Sequence, residues 1–563
     1  MFSMRALLVG VGLFLAFAKG QKEDDGNFCA KVSGAWSIMK EKIESLKSES
    51  EAVAQLTTKL QVLDSRMDDL EAKGRCVVAG FHRTRWSRER TTETMSKGGG
   101  GGTAVTIPPH TGGVPHTGTY NLSEVLHKSN LFYEAQRSGD LPDNNRVPWR
   151  HDSALGDKGN NGEDLTGGWY DAGDYVKFGL PMAYSVTMLS WGLVEYRDAY
   201  QAAGELAYGL DCIKWPLDYF IKAHVDKNKF YGQVGDGAAD HSFWGRPEDM
   251  NMARPAFLLD ESHGGTEVAA ETAAAMAAAS IVFRPTDPTY ADTLLTHARR
   301  LYDFGYNYQK TYIDSIPKAA NFYKSFGGFK DELAWGAMWL HKATGEQAYL
   351  DKAEEFLNTK VAWALSWGNK NVGAQLLYYM ATNNAQYKAA VEGFLNAWFP
   401  GGNVPKTPKG LAFRNEWGSL RYAANSAFVA LVAADKGIHV SKGRAFAKTQ
   451  LEYMLGSTGR SFVVGFGTNP PVQPHHRAAS CSADPSVPCS MSDKDKAGPN
   501  PNILYGALVG GPKNINDEYT DVRSDYKANE VAVDYNAGFQ SATAGTTGKN
   551  SFCLLFCLFC LSM

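Results

Sequence analysis

From Met39 to Leu70 apolar side chains return at steps of three and four. Met39, Leu46, Val53, Leu60 and Met67 form one seam, and Leu56, Leu63 and Leu70 form a second, which Lys42 and Glu49 interrupt. A repeat averaging 3.5 residues predicts a short coiled coil of about five heptads within 28–76. A single helix cannot bury such a seam by itself. Two readings follow: self-association, with Cys29 and Cys76 as interchain links at the ends, or an amphipathic helix folded back on the rest of the chain. The next stretch, "SKGGGGGTAVTIPPHTGGVPHTGT" (96–119), has glycines and prolines that sustain neither a helix nor a central strand, and it reads as a flexible linker.

Between 120 and 545 the 3.6-residue period dominates. "AYSVTMLSWGLVEYRDAY", "EVAAETAAAMAAASIVF", "LLTHARRLYDFGYNY", "ELAWGAMWLHKAT", "VGAQLLYYMAT", "AQYKAAVEGFLNAWF", "SLRYAANSAFVALVAADKG" and "GRAFAKTQLEYMLGS" all carry apolar residues at helical steps and are rich in Ala and Leu. About a dozen helices broken by Gly, Pro and Asn, with no clear alternating strands, predict an all-α domain. Short helices joined by long aromatic loops suit a toroid of helix pairs better than a coiled bundle.

The two ends carry apolar runs of another kind. "MFSMRALLVGVGLFLAFAKG" (1–20) has an early Arg, an apolar run from Ala6 to Ala18 and small residues at Ala18 and Gly20. It reads as a signal peptide, which predicts a secreted, extracellular protein; the run is shorter than the roughly 20 residues a spanning helix needs. The tail 551–563, within "TTGKNSFCLLFCLFCLSM", leaves three readings open: a lipidated or GPI-type tail, an interfacial anchor through its cysteines, or coding-sequence error past the true domain end.

Composition narrows the function classes. The 563 residues are 44% hydrophobic and 21% charged with a formal net charge of -3, an ordinary globular balance. That charge gives no basic field for nucleic acid, and the run "HRTRWSRER" (82–90) is too short and isolated to change this. Of the eight cysteines, Cys481 and Cys489 bracket the short loop "CSADPSVPC" and suit a disulfide; Cys212, in a helical stretch, reads as a buried small apolar residue.

Three loops concentrate the chemistry. "GGWYDAGDYVKF" sets Asp171 and Asp174 three apart among Trp169, Tyr170 and Tyr175. Two acids so close repel, so one needs a partner or a task. An Asx turn or helix cap is the plain alternative, while the rings suit a cleft in which aromatics stack on sugar faces and acids hold hydroxyls. "NEVAVDYNAGF" puts Glu530 beside Val531, Ala532 and Val533, an apolar setting that keeps a carboxyl protonated at neutral pH, as a general acid requires; a solvated surface glutamate is the alternative. "SFVVGFGTNPPVQPHHRAASC" projects His475, His476 and Arg477 from rigid turns. Adjacent histidines make a poor zinc pair, so hydrogen bonding to substrate is the better reading.

Together with "TPKGLAFRNEWGSLRYAANSAF" (407–428) and "AKTQLEYMLGSTGRSFVVGFGTNPPVQPHHR" (447–477), these motifs resemble glycoside hydrolase family 9, in particular animal endoglucanases that cut β-1,4-glucan. The likeness runs from about Tyr120 to Gly545. It implies an (α/α)6 barrel and an inverting cellulase of the endo-1,4-β-glucanase type. Asp174 then matches the base that activates water, Asp171 its helper, and Glu530 the acid that protonates the leaving oxygen. His475 and Arg477 match the Pro-His-x-Arg substrate-binding motif, Asp521 the other acidic position of the terminal motif, and Tyr535 a cleft aromatic. Trp367 in "LSWGNKNVGAQLL" suits sugar stacking or the core. The resemblance requires no cofactor, but "ESHGGTEVAAETAAA" and "YIDSIPKA" are similar to a region that holds a structural calcium in some members, here Ser262, the His263 carbonyl, Glu267 and Asp314. Thr266, where some relatives carry a further acid, leaves less charge for the ion. No cellulose-binding module is evident outside the barrel, so soluble or amorphous glucan is the expected partner.

Overall fold

The computed structural model describes residues 119–561, with side chains from 119 to 547. The stretches read above as signal peptide, as coiled coil with Cys29 and Cys76, and as linker up to 118 lie outside the described residues. Twelve helices of ten residues or more follow in chain order: α1 (Leu122–Ala135), α2 (Gly179–Ala202), α3 (Leu206–Ala223), α4 (Thr266–Phe283), α5 (Pro288–Asn307) and α6 (Lys330–Thr344), then α7 (Gln347–Phe356), α8 (Asn371–Thr382), α9 (Ala385–Trp398), α10 (Ser419–Asp435), α11 (Val440–Leu455) and α12 (Val533–Leu561).

Packing sorts them into two rings. The even-numbered helices form the inner one: α4 packs on α2 and α6, α6 on α8, and α12 on both α10 and α2. The α8–α10 junction is closed by α9, which touches α10, and by Asn425 on α10, whose Nδ2 donates to the Leu365 carbonyl at 2.9 Å. Each outer helix backs an inner one: α3, α5, α7, α9 and α11 the helix before them, and α1 the last helix α12. This is the (α/α)6 barrel that the helical pattern and the family likeness predict. α1 and α12 run antiparallel, with Tyr133 Oη donating to the Val533 carbonyl at 2.7 Å and Gln540 Nε2 to Asn130 Oδ1 at 3.1 Å.

The two rings have different sequence logic. α4, "TEVAAETAAAMAAASIVF", is buried all round except at Ile281, because its alanines let four neighbours approach. It is apolar enough to cross a membrane, yet 94% of it is buried inside the barrel. α5 is amphipathic instead, burying Ala291, Leu294, Ala298, Leu301 and Phe304 at steps of three and four. It starts where Asp287 caps the Tyr290 amide and Pro288 opens the first turn. Across the barrel axis Trp191 of α2 meets Trp335 and Trp339 of α6 and Phe428 of α10 at ring centroids 5.1 to 5.8 Å apart, so the middle is a packed core, not a pore. Where α12 passes α10, a Cβ on Gly538 would lie 1.9 Å from Asn425 Oδ1, and only glycine allows that contact.

The reading without strands needs correction. A three-stranded antiparallel sheet joins β1 (Lys177–Phe178), β2 (Phe230–Val234) and β3 (Ala256–Leu259), with Lys177 opposite Val234 and Phe230 opposite Leu259. Strands of two to five residues are too short to print an alternation. Cys481 and Cys489 do form the disulfide, and Cys212 is a buried thiol in the core. The backbone of the apolar tail is helical to Leu561, continuing α12 beyond the Gly545 boundary expected for the domain.

A buried ion pair ties two inner helices: Arg421 Nη1 of α10 donates to Asp534 Oδ2 of α12 at 2.7 Å, with side-chain exposures of 8% and 0%. Removing one partner of a buried pair strands the other charge. Arg421→Met is therefore expected to lower the unfolding free energy by about 3–5 kcal/mol, read by urea denaturation; a loss under about 1 kcal/mol, the range of exposed pairs, would contradict this.

Candidate active site

Three loops far apart in sequence are laced together by backbone hydrogen bonds. The Val533 amide donates to the Asp171 carbonyl at 2.9 Å, the Arg477 amide to the Gly173 carbonyl at 3.3 Å, and the His475 amide to the Asn529 carbonyl at 2.8 Å. His475 and Glu530 pair as a single parallel bridge. Gly173 is required here, since a Cβ on it would lie 2.3 Å from the His475 carbonyl oxygen. The Gln136 side chain, just past α1, fixes the first loop by donating to the Tyr170 and Ala172 carbonyls. This lacing brings Asp171, Asp174, His475, Arg477 and Glu530 to one rim.

Asp174 and Asp171 are each only 6% exposed. The Ala172 and Val176 amides donate to the two Asp174 oxygens at 3.1 and 3.4 Å. Burial and then Asp240 push the Asp174 carboxyl up, while His241 and Arg477 pull it back. Asp171 is driven well above the carboxylate range by burial and by Asp174 itself, opposed by Tyr323, whose hydroxyl donates to Asp171 Oδ2 at 2.5 Å. Asp171 Oδ1 is buried without a partner. A shared proton therefore rests on Asp171, driven up the further of the two, and Asp174, with the Arg477 guanidinium beside it, stays ionised.

Glu530 is half-buried, and burial pushes its carboxyl up to about 7 against two donors. Trp417 Nε1 and the Tyr535 hydroxyl both donate to Oε2, each at 2.6 Å, which leaves Oε1 to carry the proton. A group of this pKa gives an alkaline limb: kcat/KM should fall as pH rises through about 7. The Trp417 donor stabilises the carboxylate and so lowers this pKa; Trp417→Phe should move the limb to higher pH in a kcat/KM profile, and a limb that stays in place would detach it from Glu530.

His475 Nδ1 lies 2.6 Å from the Arg523 carbonyl, so Nδ1 carries the proton and Nε2 is an acceptor; burial lowers its pKa to about 4, keeping the ring neutral. His476 is structural. Its Nδ1 accepts from the Ala479 amide at 3.0 Å and its Nε2 faces Gln136 Oε1 at 2.9 Å.

Two expectations change, and a third residue gains a partner. Arg477 is buried, and Nη1 donates to Asp240 Oδ2 at 2.6 Å, so it holds the wall behind Asp174. Asp521 spends both oxygens on the Val472 and Gln473 amides, at 2.7 and 3.0 Å, which makes it a clamp on the His475 loop and not a sugar ligand. Tyr535 is 1% exposed and works through its hydroxyl on Glu530, not as a stacking face. Trp367 is half-buried, its ring edge-on to Tyr323 at 4.9 Å, and so backs the residue that holds Asp171.

The calcium set fits poorly. The Ser262 carbonyl faces Lys310 Nζ at 3.4 Å, the His263 carbonyl accepts the Asp260 amide at 3.1 Å, and Glu267 Oε2 accepts the Tyr312 amide at 2.8 Å. Asp314 is exposed and bonded to the Thr311 hydroxyl at 2.5 Å. A lysine ammonium at one of the expected ligands, with the others engaged inside the protein, does not match the open oxygen cage of a calcium ion. Among the described residues the one trio of His, Cys, Asp or Glu ligand atoms within 4.8 Å is Asp174, Asp240 and His241, where Arg477 already supplies positive charge.

Sequence reasoning missed Trp417, Tyr323, Asp240 and Arg421. Trp417 stood inside a quoted motif next to Glu416 and Gly418, and an exposed Trp in a loop was its only signal. Asp240 sits on the short helical turn Gly237–His241 that follows β2 and accepts the amide of Tyr175, just before β1, at 3.1 Å.

The family model for glycosyl hydrolase family 9 matches residues 122–543. Endoglucanase B of Cellulomonas fimi is 48% identical over 458 residues, covering 78% of this chain; the chain spans only 43% of that protein's length. Among solved structures, the endoglucanase of the termite Nasutitermes takasagoensis superposes with a TM-score of 0.75 at 53% identity, over 77% of this chain and all of that one (100%). The cellulase Cel9M of C. cellulolyticum in complex with cellobiose gives 0.71 at 36% identity, over 77% and 99% of the two chains.

Proposed function

Since the chain belongs to glycosyl hydrolase family 9, we propose that its barrel is an endo-β-1,4-glucanase, hydrolysing internal bonds of cellulose-type β-glucan by a single inverting displacement. The observation that carries the reading is Glu530, a half-buried carboxyl raised to about 7 with both hydrogen-bond donors on one oxygen. Its free oxygen protonates the departing glycosidic oxygen while the sugar takes on oxocarbenium character. Asp174, held ionised, removes a proton from water on the opposite face of the ring, and Asp171 orients that water. His475 accepts a sugar hydroxyl through Nε2. The cellobiose complex of Cel9M supports a cellulose-type substrate. The apolar run at 6–18 supports export from the cell.

Inversion is the direct test. ¹H NMR of the first product from a β-linked cello-oligosaccharide should show the α-anomer before mutarotation. A β-anomer would require a nucleophilic carboxylate and overturn the assignment of Asp174 as base.

A further inference from the structure

We infer that Arg414 forms an anion subsite in the cleft wall, where it takes a carboxylate carried on an acidic β-1,4-glucan. The inference rests on the glucanase reading above and concerns which glucans that cleft favours. The guanidinium of Arg414 makes no ion pair and no hydrogen bond among the described residues, and its Nε is buried without a partner. Burial lowers its pKa, and no carboxylate opposes that shift. Neighbouring arginines differ: Arg421 has Asp534, Arg477 has Asp240, and Arg523 has four oxygens from Asn500, Asp493, Lys496 and Gly498.

The place of this cation points to substrate. Its Cζ lies 4.5 Å over the indole of Trp363, which is 44% exposed and meets Tyr422 edge-on at 5.3 Å. The Arg421 guanidinium lies 4.6 Å over Tyr422 and 4.9 Å over Tyr535, a donor to Glu530, and Trp417, the other donor, stands three residues after Arg414. Arg414 thus belongs to the wall that ends at the acid. An arginine whose flat face rests on a ring keeps the edge of its fork for a bidentate carboxylate. A half-buried cation without a counter-ion also gains more from such a partner than a solvated one. With a net charge of -3 the protein has no general pull on anions, so the effect is local to this wall. Uronosyl or carboxymethyl groups on a β-1,4-glucan supply the carboxylate.

The test compares wild type, Arg414→Gln and Arg414→Lys on carboxymethylcellulose and on neutral hydroxyethylcellulose, at low and high salt. Relative to wild type, Arg414→Gln should raise KM on the acidic polymer about tenfold more than on the neutral one, the weight of one charge-assisted contact partly open to water. Arg414→Lys should recover part of that difference, and added salt should erase it. An equal change on both polymers, or none on either, overturns the subsite and leaves Arg414 as packing for Trp363. Wild-type protein that cleaves neither polymer overturns the glucanase reading and this inference with it, whereas cleavage of both with no charge dependence overturns the inference alone.

Discussion

Glu530→Gln should lower kcat on natural β-1,4-glucan by about three orders of magnitude, well inside the reach of general-acid catalysis. Glutamine keeps an oxygen for the Trp417 and Tyr535 donors, both at 2.6 Å, so the loop geometry survives and only the transferable proton is lost. An aryl cellobioside whose phenolate leaves without help should lose far less. Turnover of the two substrates measured side by side decides the matter: equal losses would mean that Glu530 does something other than protonate the leaving oxygen. Because the raised pKa of about 7 reflects burial, folding takes up a proton at this group between about 4.5, its ordinary value, and 7. The associated stability is complete below the lower value and fades as pH rises through the upper one.

Asp174→Ala should behave in the opposite way. Every substrate needs the attacking water, so both the natural glucan and the aryl glycoside should lose about three orders of magnitude in kcat. The removed carboxylate leaves room for azide, a small nucleophile that needs no base. Added azide should restore turnover of the aryl substrate and yield the inverted α-glycosyl azide. If the aryl substrate were spared, or azide gave no rescue and no azide product, Asp174 would not be the base. Paired with the Glu530 variant, this separates the two halves of the reaction by substrate as well as by residue.

The parts legible in the sequence were those written over short distances. Helical periodicity survives in single segments, so the barrel follows from runs such as "EVAAETAAAMAAASIVF". Asp171, Asp174 and Glu530 announced themselves because each sits among rings or small apolar residues with few basic neighbours. What stayed hidden depends on direction and on partners. Tyr535 and Asp521 stand in motifs that suit substrate contact, yet their polar atoms turn to Glu530 and to the His475 loop. Trp417 reaches Glu530 across 113 residues, a separation no local pattern encodes. Asp240 sits on the short turn Gly237–His241 and meets Tyr175 just before a strand of two residues, below the length at which alternation shows. Lys310 at the Ser262 carbonyl likewise comes from a different loop and could not be anticipated from the donors alone.

The antiparallel pairing of α1 with α12 has a consequence for handling the enzyme on solid supports. Val533, beside Asp534 and the Asp171 loop, opens α12 at the catalytic rim, and Tyr133 near the end of α1 meets it there. Leu122 at the start of α1 and the Gly545 stretch of α12 therefore lie at the back of the barrel. A covalent attachment made at residue 119, or one made past Thr547, grips the barrel from behind. Immobilised either way, the enzyme turns its catalytic rim outward, toward a polymer too large to reach around it.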